Sequence, residues 1–236
     1  MRLVLLSNST NFGGGYLDHA APAIRELFHG ARRIAFVPFA IAEQADYHER
    51  VRQRLGALGL DVPRVTESPH GREVLEQADG IFVGGGNTFR LLDRLQRSDM
   101  ISVIRSRVLA GTPYLGSSAG TVVAAPTIRT TNDMPIVEPE SLDALGLVPF
   151  QVNCHYLDPD PASRHMGETR DTRLLEFLEE NATPVVALRE GSWLEVTAEG
   201  PDAPRRTRLC GPLMARLFRR DHEILECPPG DLPSIS

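Results

Sequence analysis

The sequence predicts an α/β protein: a doubly wound, mostly parallel sheet flanked by helices, built as one domain over residues 1–236. Three observations carry this prediction. Short apolar runs alternate with helix-period segments through the first two-thirds of the chain, as βαβ units with right-handed crossovers require. Two glycine-rich turns each follow an apolar run and precede a helical pattern, at the sheet edge where open α/β folds build their sites. Hydrophobic residues make up 42% and charged residues 24%, an ordinary globular balance, and no linker is long enough to divide the chain.

Strands are expected at Leu3–Leu6, Ile34–Phe39, Val62–Val65, Gly80–Val83 and Tyr114–Gly116, each an apolar run suited to burial on both faces. Between them the periodicity predicts helices near Leu17–Phe28, Glu43–Leu58, Thr88–Arg97 and Ile101–Leu109. A further helix is expected over Glu168–Asn181, with Leu174, Leu175 and Leu178 on one face and Thr169 as its cap. Val185–Leu188 and Trp193–Val196 read as two strands around the turn Arg189-Glu190-Gly191-Ser192. Short antiparallel strands are expected in the Pro-, Arg- and Gly-rich last stretch, with 228–236 a loose tail.

A net charge of −6 and scattered basic residues argue against nucleic acid or an anionic membrane as partner. No apolar run approaches the roughly 18 residues of a bilayer span. The amino-terminal "LVLLSNS" is too short an apolar stretch for a signal peptide, and a buried first strand explains it better. Cys154, Cys210 and Cys227 are odd in number and lack CxxC spacing, so neither a disulfide framework nor a zinc site is expected. A reducing cytoplasm fits that usage, and the sequence calls for no metal or cofactor.

The chemistry concentrates in "GSSAG". Gly116, Ser118 and Gly120 fit the G-x-S-x-G pattern, in which glycines clear space around a serine on a tight strand-to-helix turn. The N–H of Ala119 then points toward the attacked carbonyl; a plain Gly/Ser turn or a phosphate grip is the competing reading. Gly84-Gly85-Gly86-Asn87-Thr88 lacks both dinucleotide and P-loop spacing, which leaves it free to supply further oxyanion donors. Among seven histidines, His155 stands out because it closes the apolar run Phe150–Cys154 and opens onto a long loop. His70 falls in a Pro/Gly loop and His165 in a polar one. An orienting carboxylate could come from Asp133 or Glu190.

Six blocks taken in order resemble the peptidase E family, cytoplasmic aspartyl dipeptidases whose fold is related to class I glutamine amidotransferase domains. They are "LLSNST" (Leu5–Thr10), "FVGGGNTFRLL" (Phe82–Leu92), "GSSAG", "PTIRTTNDMPIV" (Pro126–Val137), "GETRDTR" (Gly167–Arg173) and "LREGSWLEV" (Leu188–Val196). The resemblance implies Ser118 as nucleophile, His155 as base, Gly86 and Ala119 as oxyanion-hole positions, and Arg170 as the reader of an aspartyl carboxylate. It leaves the third triad position between Asp133 and Glu190; Glu190 is favoured as the direct orienter and Asp133 as a site residue that binds substrate. Two departures stand out: Ser117 where the family often has a large aromatic residue, and Cys154 where it often has proline. The implied activity is hydrolysis of dipeptides, and by extension tripeptides, with amino-terminal aspartate, without metal or cofactor. Alternatives are a cyanophycinase-like hydrolase of aspartate-arginine peptides and a binding module that has lost catalysis. A homodimer is compatible with the sequence, which does not fix the oligomeric state.

Overall fold

The structure is a computed structural model that describes every residue except 160, 161, 163–166, 201, 202 and 236. The first half runs β1 (Arg2–Leu6), α1 (Ala21–Leu27), β2 (Ile34–Val37), α2 (Gln44–Gly56), α3 (Pro69–Gln77), β3 (Gly80–Val83), α4 (Thr88–Arg97), α5 (Met100–Leu109), β4 (Tyr114–Ser117) and α6 (Ala119–Val122). The second half adds β5 (Gln151–Asn153), α7 (Arg170–Glu180), β6 (Val185–Leu188), β7 (Trp193–Thr197), β8 (Arg206–Cys210), β9 (Ala215–Phe218), β10 (Leu225–Cys227) and β11 (Gly230–Asp231).

The α/β class holds. The main sheet is mixed, in the order β11-β8-β7-β1-β4-β3-β2. Its β1-β4-β3-β2 half is parallel, while β7, β8 and β11 extend it antiparallel from β1. Side-chain alternation divides the core between two faces. Val4, Leu6, Ile34, Phe36, Phe82 and Leu115 pack against α1 and α2. Leu3, Leu5, Ala35, Val37, Ile81 and Val83 pack against the leucines of α4 and the apolar residues of α5 and α6. The parallel strands are buried on both sides, which is why they read as unbroken apolar runs.

The second half departs from a simple hairpin reading. β6 and β7 flank the expected turn but belong to different sheets, because β6 joins β5, β9 and β10 in a separate four-stranded sheet. The turn at Arg189–Ser192 therefore carries the chain from one sheet to the other, and Ser7 at the end of β1 donates its N–H to Ser192 O across 3.1 Å.

Four smaller differences have local causes. The expected strand Val62–Val65 forms only one isolated bridge to β2, Arg64 against Phe36, since Pro63 has no N–H to give. The segment holding His70 is α3, not a loop: Pro69 takes a first-turn position where the missing N–H costs nothing, and a Cβ on Gly71 would strike the Thr66 backbone. The first helix starts at Ala21 because Leu17 adopts φ 59°. The expected loose tail instead pairs, with Gly230 and Asp231 against β8 and Ile235 buried. His165 lies outside the described residues.

Candidate active site

Ser118 sits between β4 and α6 with φ 51° and ψ −110°, a backbone geometry that costs on the order of 1–3 kcal/mol in a non-glycine residue. The neighbouring glycines explain how it is held. A Cβ on Gly116 would come within 2.6 Å of Gly120 O, and one on Gly120 would collide with Val83 O, so no side chain fits at either. The Ser118 N–H donates to Leu6 O at 3.0 Å, pinning the turn to the end of β1, and the Tyr114 hydroxyl donates to Gly120 O. The elbow expected from G-x-S-x-G is present.

Ser118 Oγ lies 2.8 Å from His155 Nε2, and His155 Nδ1 lies 2.7 Å from Glu190 Oε1. One tautomer satisfies both contacts: Nδ1–H donates to the carboxylate, and Nε2 accepts from the serine hydroxyl. Asp133, the other candidate, is engaged elsewhere. Its Oδ2 accepts from Thr88 N–H at 2.7 Å, Thr88 Oγ1 at 2.5 Å and Thr131 Oγ1 at 3.2 Å.

His155 itself adopts φ 52° and is fixed from behind by a residue that sequence reasoning missed. Its N–H donates to Ser7 Oγ at 3.0 Å, and the fully buried Ser7 hydroxyl donates to Leu188 O at 2.9 Å. Asn8 does the same for the acid, accepting the Gly191 N–H at 2.8 Å just after Glu190. The one available signal was a polar Ser-Asn pair directly after the apolar run Leu3–Leu6. Asn132 Nδ2 donates to Cys154 O at 2.7 Å, so the segment before the histidine is anchored without a proline. Burial, with Asp133 nearby, pushes the Cys154 thiol far above its ordinary pKa, and it lies beneath the elbow rather than in the cavity. Ser117 is likewise fully buried and does not line the cavity.

The second glycine turn faces the serine. A Cβ on Gly85 would lie 3.2 Å from Ser118 Cβ, and Gly85 N–H donates to the Tyr47 hydroxyl at 2.8 Å. Gly86 takes φ 134°, and a Cβ there would come within 2.7 Å of Ala40 O. The N–H groups of Gly86 and Ala119 have no acceptor among the described residues. They are thus uncommitted donors beside the serine.

These groups open onto a cavity of about 590 Å³ whose wall includes Asp133, Glu43, Asp46 and Arg50. Among the described residues, His155 is its only histidine. A smaller cavity of about 200 Å³ shares Asp133 and contains Arg129, Arg170 and Arg173. The Arg170 side chain makes no hydrogen bond or ion pair with a described residue. Burial, with Arg173 adding repulsion, lowers its pKa, which marks a partly desolvated cation without a counter-ion. Arg173 pairs with Glu168 at 3.3 Å, and Arg189 is held by Asp158 at 2.6 Å and Glu226 at 3.0 Å. No cluster of three or more metal-ligating side chains occurs among the described residues.

Residues 3–202 match the pattern of Peptidase family S51. A protein of Streptomyces coelicolor named "Peptidase E" is 54% identical over 220 residues, covering 93% of this chain and 88% of its own. A Drosophila melanogaster protein named "Probable alpha-aspartyl dipeptidase" is 45% identical over 230 residues, covering 96% of this chain and 93% of its own. The crystal structure of a peptidase from an acI-B1 Actinobacterium superposes with a TM-score of 0.71 at 17% identity, covering 97% and 95% of the two chains, a likeness of fold. With the family pattern spanning most of the chain and relatives this similar over nearly their full length, the chain belongs to peptidase family S51.

Proposed function

We propose that this protein is a serine dipeptidase that removes amino-terminal aspartate from dipeptides. The observation that carries the reading is the unbroken relay from Ser118 through His155 to Glu190, at 2.8 and 2.7 Å, beside two uncommitted N–H donors. Ser118 Oγ attacks the scissile carbonyl while His155 Nε2 takes its proton. The imidazolium keeps its Nδ1–H on Glu190, and the oxyanion accepts from Gly86 and Ala119 N–H. His155 then returns the proton to the leaving amine, and the peptide C–N bond breaks to leave an aspartyl ester on Ser118. Water, deprotonated by the same histidine, attacks that ester and frees aspartate and the serine.

Aspartate selectivity follows from the second cavity. Asp133 lines both cavities, which supports placing the aspartyl side chain past it against the Arg170 side chain, unpaired among the described residues. A guanidinium offers a carboxylate two parallel donors, which an amide side chain cannot match. Asp133 accepts its three bonds at Oδ2, leaving Oδ1 for the substrate's α-ammonium. A direct test compares leucine release from Asp-Leu and Asn-Leu. Rapid turnover of the first and little of the second supports the reading, and equal rates would remove Arg170 and aspartate from it.

A further inference from the structure

We infer that Arg50 binds the carboxyl-terminal carboxylate of the substrate and so restricts the enzyme to two-residue peptides. This rests on the dipeptidase reading and adds a leaving-group subsite to it. Arg50 lies on α2, on the face that also carries Glu43, Asp46 and Tyr47 at helical spacing, and this face forms one wall of the catalytic cavity. Tyr47 fixes where that face stands: its hydroxyl accepts the Gly85 N–H at 2.8 Å, one residue from the proposed oxyanion donor Gly86. Tyr16, Tyr47 and Arg50 line the cavity together.

Charge bookkeeping then singles it out. The described lining contains four carboxylates, Glu43, Asp46, Asp133 and Glu190, and Arg50 is its only guanidinium or ammonium. Among the described residues Arg50 forms no ion pair, not even with Asp46 four residues before it, whereas its neighbours Arg52 and Arg54 pair with Glu49 and Asp18. A leaving-group carboxylate entering this cavity therefore meets repulsion at four groups and one permanent cation. Arg50 and Arg170 line different cavities on either side of Asp133, so the two substrate carboxylates have separate partners. A third residue would carry the terminal carboxylate up to about 3.6 Å further along the chain, past Arg50.

The test compares kcat/KM for Asp-Leu with that for Asp-Leu amide, which differs only in the terminal charge. A charge-assisted pair at a solvent-reached wall should give the wild type a preference of about 1.4-fold to fivefold for the free acid. In Arg50→Ala this ratio should fall toward one, and Arg50→Lys should retain part of it. An acid-to-amide ratio near one in the wild type, or one that Arg50→Ala leaves unchanged, would overturn the inference while dipeptide cleavage stands. Failure of the wild type to cleave either peptide would instead sink the dipeptidase reading, and the subsite with it.

Discussion

Glu190→Gln isolates the contribution of the charge behind His155. The substitution keeps size and one acceptor oxygen, but removes the negative charge that stabilises the imidazolium formed in the transition state. The pair is close, at 2.7 Å, yet the histidine and glutamate side chains are 41% and 55% exposed, so water screens their attraction. Between bulk water and a protein surface, opposite charges about 4 Å apart attract by roughly 1–4 kcal/mol. Losing that stabilisation in the transition state lowers kcat by about 5- to 900-fold. This is less than the roughly 10⁴-fold typical of a buried triad aspartate, because exposure discounts the charge. Steady-state kinetics on Asp-Leu should show the fall in kcat with KM moved far less. Asp133→Asn should do the opposite, raising KM, since Asp133 bonds Thr88 and Thr131 and not the histidine. If Asp133→Asn cuts kcat more deeply than Glu190→Gln, the assignment of the two acids is reversed.

Arg170→Ala should lower kcat/KM for Asp-Leu by about 30- to 4,000-fold, since truncating one side of a desolvated charge pair costs roughly 2–5 kcal/mol, much of it from stranding the other charge. Asn-Leu should lose much less, so the Asp-Leu to Asn-Leu ratio collapses; if it does not, Arg129 is the next arginine to test. Ser7→Ala strands the His155 N–H, while Leu188 C=O keeps the Tyr156 N–H at 3.0 Å, which should cost roughly 1–3 kcal/mol in urea unfolding and lower kcat while KM changes little. Full wild-type kcat in that variant would remove Ser7 from the positioning of the histidine. Burial and then the Glu195 charge push the Cys210 thiol up to about 11. Since the thiolate is the reactive form, alkylation of Cys210 should still be accelerating between pH 9 and 10, where a free thiol of pKa about 8.5 has levelled off. A plateau by pH 9 would contradict that environment.

The parallel core was legible because strands buried on both faces leave an unbroken apolar run, as in Leu3–Leu6, β2 and β3. The helices with strong side-chain caps were equally plain: Asn87 accepts from Arg90 N–H and Thr169 from Thr172 N–H at the ends the sequence suggested. What escaped was pairing between distant segments. Nothing local in "VVALREGSWLEV" tells that its two strands enter different sheets, since that is decided by partners in β1 and β9. The same limit hid Ser7 and Asn8, whose importance lies in reaching 148 and 183 residues along the chain to His155 and Gly191. Ser118 could be read from its flanking glycines because its strain is local. The choice between Glu190 and Asp133 could not, because it depends on which acid the fold carries to the histidine.

In the proposed mechanism Ser118 forms the bond to the substrate carbonyl, and removing its hydroxyl alone isolates that bond. Ser118→Ala should still bind Asp-Leu, while kcat falls on the order of 10³–10⁶ relative to wild type. Retention of more than about a tenth of wild-type kcat, which loss of an essential nucleophile does not permit, would contradict the mechanism.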